Sequence, residues 1–186
     1  GFRIPNVTSS SHGQLTLEFW IKPTQVKDWN QQIGGPWGTF LLHANSDGTM
    51  YYGWNTANRR QTDPILRVGK WTHIALVVNK NKATLYANGA SQGVLTTTSF
   101  SGFPAFSDGL LMGYDVNSSN ALYGTIDEVR VWDVAKTGKQ VRESYDRPIA
   151  SPATAKNLLA YLRMNTITEG GVTKLEDCAH GNHAIF

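Results

Sequence analysis

Cysteine is nearly missing from this sequence: Cys178 stands alone among 186 residues, so no intrachain disulfide can hold the fold. No apolar run approaches the roughly 20 residues that a membrane-spanning helix needs. Charged residues make up only 17% of the chain, with a net charge of +3. The basic residues are scattered apart from Arg59-Arg60, so the stripe expected of a nucleic-acid binder is absent. There is no G-x-S-x-G elbow and no glycine-rich phosphate loop. Glycoside hydrolysis needs two carboxylates about 5–10 Å apart, which on one strand face means E-x-D spacing, and that spacing does not occur. These absences point away from an enzyme and from direct membrane insertion. Helical patterning is scarce too. The opening Gly1-Phe2-Arg3 has no Met and is expected to be a cut or processed end.

What the chain does have is apolar and aromatic matter: 40% hydrophobic residues, 11% aromatic, and six tryptophans. That suffices for one sizeable core, and an all-β chain of this length commonly stays one domain. Leu15, Leu17, Phe19 and Ile21 alternate with Thr16, Glu18, Trp20 and Lys22, the period of a half-buried strand that Pro23 ends. The segment 70–79 is apolar on both faces, as a central strand is. Asp47-Gly48 and Asn88-Gly89 are tight-turn signals. Further strands are expected at 39–43, 49–54, 83–88, 110–114, 122–132 and 158–164. Residues 24–38 and 55–64 read as loops, and 177–182 as a turn. One helix is expected near residues 138–146. Thr137 and Gln140 form a capping box at its start, and Val141 and Tyr145 make its apolar stripe. The pattern predicts an all-β, two-sheet antiparallel jelly-roll sandwich with that single short helix.

Four motifs in order resemble laminin-G-like domains of the concanavalin A-like superfamily. They are Leu15–Pro23 (family "TIEFW-x-KP"), Trp71–Leu76 ("W-x-H-V-A-L"), Leu85–Gly89 ("L-Y-V-N-G") and Gly124–Trp132 ("G-x-I-D-E-V-R-V-W"). The stretches Leu159–Met164 and Asp177–Asn182 resemble a pair that precedes the first strand in many relatives, yet here they follow the helix. Either residues 158–186 supply a closing strand in permuted order, or they begin a further module. The first is favoured, because a chain ending in Ile185-Phe186 needs a sheet to bury it. Residues 1–186 are therefore read as one sandwich domain.

The resemblance implies a non-catalytic carbohydrate-binding module of a secreted or cell-surface protein, a piece of a larger bacterial chain whose partner is a glycan. The alternatives are a protein-adhesion domain and, further off, a hydrolase-related domain. Flat rings stack on sugar C–H faces while amides and carboxylates bond the hydroxyls. The ligand-facing candidates are therefore Trp29, Trp37, Tyr51, Tyr52 and Trp54, with Asp115, Asn117 and Asn120 in a polar loop. Trp20, Trp71 and Trp132 lie inside the strand motifs and are read as structural. Asp127 resembles an aspartate that helps hold a structural calcium in laminarinase-type relatives. Calcium wants six to eight oxygen ligands, and the 115–120 loop offers one carboxylate. Cys178, His180 and His183 have suggestive zinc spacing but lack an evident fourth ligand.

Overall fold

The alternation of residues 14–23 is realised as a strand whose Leu15, Leu17, Phe19 and Ile21 are buried in the core. The computed structural model describes residues 1–7, 13–25, 31–35, 41–99, 102, 109–113 and 120–186. Its strands are β1 (Phe2–Ile4), β2 (Gln14–Pro23), β3 (Gln31–Gly34), β4 (Leu41–Ala44), β5 (Met50–Gly53), β6 (Arg59–Gln61) and β7 (Thr72–Asn79). They continue with β8 (Lys82–Ala87), β9 (Ala90–Thr96), β10 (Leu110–Met112), β11 (Gly124–Trp132), β12 (Leu158–Glu169) and β13 (Val172–Asp177). Among the described residues the α-helical segment is α1, Gly138–Ser144.

The strands form two antiparallel sheets. The smaller has the order β1-β10-β3-β4-β5-β6, and the larger β13-β12-β11-β2-β7-β8-β9. Their facing sides interdigitate: Ile33, Leu42, Met50, Tyr52, Leu110 and Met112 of one meet Leu17, Phe19, Ile74, Leu76, Val129 and Val131 of the other in one core cluster. This is a jelly-roll sandwich of stacked sheets. The Tyr52 hydroxyl donates to the Gly93 carbonyl at 2.9 Å, tying the β6 side of the smaller sheet to β9.

The larger sheet is also covered on its outer side. Thr137 accepts from the Gln140 amide, and the Gln140 side chain accepts from the Thr137 amide at 2.8 Å, so the capping box starts α1 as the sequence predicts. Val141 then packs on Ala75 and Val77, which explains why β7 is apolar on both faces. Glu18, polar by alternation, is nonetheless fully buried under this cover. Lys136 Nζ donates to it at 2.7 Å and Trp132 Nε1 at 3.2 Å. Thr16 Oγ1 donates to the Val134 carbonyl and accepts from the Lys136 amide, pinning the same segment.

Residues 158–186 extend the larger sheet. β12 pairs with β11 through Val129↔Leu162, and β13 pairs with β12. Ala184 then bridges Leu175 while Ile185 bridges Arg3 of β1, so the tail links the two sheets along one side. The turn before Ala184 is organised by Asp177. Its Oδ1 accepts from the amides of Tyr161 and Ala179, and its Oδ2 from those of His180 and Asn182, at 2.7–3.0 Å.

Several sequence expectations need correction. β12 runs to Glu169 rather than stopping at residue 164, and it returns through Gly170-Gly171 into β13, a strand the alternation reading missed. Both glycines have positive φ, 56° and 79°, which is what lets the hairpin close. β3 lies inside the stretch read as a 24–38 loop, and β6 inside 55–64. Both are short: β3 buries Ile33 in the core and pairs with β4, while β6 is polar and is held by its pairing with β5.

Candidate functional site

The smaller sheet presents its outer side through β4, β5 and β6. His43, Tyr51 and Gln61 are cross-strand partners in one rung. Their neighbours Leu42, Met50 and Tyr52 point into the core. Tyr51 is half-buried, with the Arg59 guanidinium 4.0 Å from its ring centroid. Gln61 is exposed and donates to Thr49 Oγ1 at 2.8 Å.

Trp29, Trp37, Asp115 and Asn117 lie outside the described residues. The strands that anchor their segments are β3, β4 and β10, which are neighbours in the smaller sheet. β10 runs antiparallel to β3, and the Gly113 amide donates to the Ile33 carbonyl at 2.9 Å. Asn120 is half-buried at the far end of the segment that follows β10.

Two candidates are misplaced by the sequence reading. Tyr52 and Trp54 are core residues, 0% and 1% exposed. Trp54 Nε1 donates to the Gly102 carbonyl at 2.7 Å, and burial pushes the Tyr52 hydroxyl up to about 12. Neither ring offers a face to a ligand. The register explains it: Tyr52 alternates inward from Tyr51, and the indole is large and amphipathic enough to plug the sandwich end.

The larger sheet supplies the surface that the sequence reading passed over. Trp20, Trp71, Asp127 and Glu128 line an open groove of about 290 Å³ on its outer side. Trp71, read as structural, is 40% exposed. Asp127 pairs with Trp20 across β11–β2, and Trp20 with His73 across β2–β7. Tyr145, just past α1, packs on both Trp20 and His73. The helix cover stops there and leaves the Trp71 corner open. Burial, then the charges of Arg130 and Lys136, push His73 down to about 3, so it sits neutral at this boundary.

A β-bulge shapes the acidic wall. Between the pairs Asp127↔Trp20 and Arg130↔Glu18, two residues, Glu128 and Val129, are opposed by one, Phe19, and Glu128 adopts φ 52°. The extra residue brings Asp127 and Glu128 to one groove, and Asp127 Oδ1 accepts the Glu128 amide at 2.8 Å. Glu128 also accepts from Arg130 at 3.0 Å and from the Tyr161 hydroxyl, with Arg163 at 3.5 Å. Burial raises the Glu128 carboxyl, but the Tyr161 and Arg130 hydrogen bonds and the two guanidinium charges outweigh it and hold it below the usual range. A glycosidase general acid needs the opposite shift.

Nor does the surrounding of Asp127 suit calcium. Two indoles flank it, and Glu128 is already saturated by cations and a phenol. Among the described residues no group of three or more Asp, Glu, His or Cys side chains could hold a metal ion. His180 Nε2 bonds the Leu158 carbonyl at 2.8 Å, and His183 Nδ1 accepts the Asp177 amide at 3.0 Å. The Cys178 thiol is pushed up by burial, away from the thiolate that binds metal. These three residues belong to the turn that joins the sheets. No helix among the described residues is long and apolar enough to cross a membrane.

None of the proteins with curated descriptions matches the sequence significantly. Solved structures do. A candidate carbohydrate-binding protein of Bacteroides ovatus superposes with a TM-score of 0.79 at 23% identity, covering 100% of this chain and 54% of that one. The chain thus spans about half the length of that protein. Domain 4 of an extracellular arabinanase of Geobacillus stearothermophilus, solved with arabinotriose, gives a TM-score of 0.59 at 20% identity over 77% of this chain and 71% of that one. The carbohydrate-binding module of a Ruminococcus gnavus sialidase, bound to α2,3-sialyllactose, gives 0.57 at 17% identity over 71% and 82%. At these identities the likeness establishes a shared lectin-like fold. The sequence itself matches the family described as concanavalin A-like lectin/glucanases across residues 1–142, and with the ordered strand motifs and the two-sheet sandwich this makes the chain a member of that superfamily.

Proposed function

We propose that this domain is a non-catalytic carbohydrate-binding module of a secreted or cell-surface protein, one part of a larger chain. The observation that carries the reading is the outward rung of the smaller sheet, with its half-buried Tyr51 ring beside Arg59 and Gln61. A sugar offers an apolar C–H face and a rim of hydroxyls. The Tyr51 ring with the Arg59 guanidinium stacked 4.0 Å from its centroid supplies a flat platform for the first, and Arg59 and Gln61 supply donors for the second. Trp29, Trp37, Asp115, Asn117 and Asn120, carried on segments attached to β3, β4 and β10, are proposed to complete the site. The lectin-like fold shared with two carbohydrate-bound modules supports this reading.

Affinity electrophoresis through gels containing arabinan, xylan or mixed-linkage β-glucan tests it. Wild type is expected to be retarded in at least one gel. Tyr51→Ala, which removes a ring contact worth about 1 kcal/mol, is expected to bind about fivefold more weakly. Unretarded migration of wild type in every gel would contradict the proposal.

A further inference from the structure

The groove on the larger sheet has a composition that selects its ligand. It is lined by Trp20, Trp71, Asp127 and Glu128 on adjacent strands, with the buried His73 beneath the helix cover next to it. Asp127, Trp20 and His73 form one rung, and Lys22 lies over Trp71 at 5.0 Å from the ring centroid. Trp20 and Trp71 are diagonal neighbours across β2 and the start of β7, within the reach of large rings. We propose that this groove is a second carbohydrate subsite, independent of the Tyr51 face, that takes one pyranose ring of a neutral polysaccharide between Trp20, Trp71 and Asp127.

The charges argue for a neutral ligand. The electron-rich ring of Trp71 already carries the Lys22 ammonium, so a second cation there meets a like charge. An anion meets Asp127. Glu128 is compensated by Arg130 and Arg163 and adds no free charge. What remains is an indole pair and one oriented carboxylate acceptor, which matches a ring that is apolar on its faces and hydroxylated at its edge. A protein partner fits less well. A specific interface needs about 800 Å² per side. Here Val68 and Trp71 are the exposed large apolar residues near one another in sequence, while Val94, Val172 and Phe186 sit on other elements.

Nitrogen-15 NMR of the intact domain, reading the indole N–H signals assigned by single Trp→Phe variants, tests the subsite. The probes are neutral oligosaccharides of xylan, arabinan and β-glucan, with sialyllactose as the anionic probe and choline as the cationic one. A neutral oligosaccharide is expected to shift the Trp20 and Trp71 signals. Trp71→Ala is expected to weaken that binding about tenfold and Asp127→Asn about fivefold, with melting temperatures unchanged. Asp127→Asn keeps an oxygen to accept the Glu128 amide, so it isolates the lost charge from any loss of fold. Tyr51→Ala is expected to leave these shifts in place. Four results would overturn the subsite: silence of both indoles toward every neutral probe, an affinity unchanged by Trp71→Ala, an affinity unchanged by Asp127→Asn, or a groove preference for sialyllactose or choline. A response confined to Tyr51-dependent binding would sink the subsite while leaving the proposed function standing. The reverse pattern would move the function to the larger sheet.

Discussion

The two outer sides of the sandwich begin from the same strand alternation and end differently. On the larger sheet, α1 and the segment after β11 bury Thr16, Glu18 and His73, residues whose period-two position marks them as outward. The cover ends at Tyr145 and leaves one aromatic corner at Trp71. On the smaller sheet the outward rung grades from a buried His43 through a half-exposed Tyr51 to an exposed Gln61. Alternation therefore tells which side of a strand a residue takes. Whether that side meets water depends on what the rest of the chain lays over it.

The largest effect that sharpens this contrast is expected at a tryptophan that looks ligand-facing in sequence. Trp54→Ala empties a core position and orphans the Gly102 carbonyl, so it should cost about 3–5 kcal/mol in urea denaturation. A cost below about 1 kcal/mol would mean that Trp54 is not a core residue. Next comes the buried pair under the helix. Lys136→Met leaves Glu18 charged and unpaired, with an expected loss of about 3–5 kcal/mol. Adding Glu18→Gln should recover much of it, and a double variant as unstable as the single would break the account of the covered face.

Acid should loosen the same boundary. His73 is held near 3 against an ordinary 6.5, so the unfolded chain binds its proton first and stability falls as pH drops below 6.5. By about pH 5 the loss from this group is about 2 kcal/mol. His73→Gln should flatten that slope in pH-dependent melting, and an unchanged slope would assign the acid sensitivity elsewhere. The smallest effect is expected at Trp71. Trp71→Ala should change stability by no more than about 0.5 kcal/mol, because the ring is exposed. A large loss would make Trp71 part of the packing after all.

The fold was legible in sequence where burial writes a period. β2, β7, β8 and β11 each have an apolar face, and the capping box at Thr137 is read by its hydrogen-bonding residues alone. β3 and β6 were not legible, because QQIG and RRQ have no alternating pattern and exist through their partners. β13 was hidden because VTKLED holds only two apolar residues, the exposed Val172 and the buried Leu175. The role of Asp177 had a signal, an aspartate ahead of a Gly-containing turn, but four backbone amides converging on one carboxylate is a three-dimensional fact. The site was harder. Tyr51 and Tyr52 are adjacent and identical in type, and only the strand register separates the outward ring from the buried one. Trp20 and Trp71 sit in strand motifs that mark them as structural, although a strand residue beyond the edge of a covering helix can be both conforming and exposed.

The central claim, that the domain binds glycans and does not cleave them, is tested most directly by following both in one sample. The intact domain is incubated with soluble arabinan, xylan and β-glucan while retained protein and newly formed reducing ends are measured together. Retention on at least one polysaccharide with no rise in reducing ends is the expected result. A steady release of reducing ends by wild type, or no retention on any of the three, would contradict it.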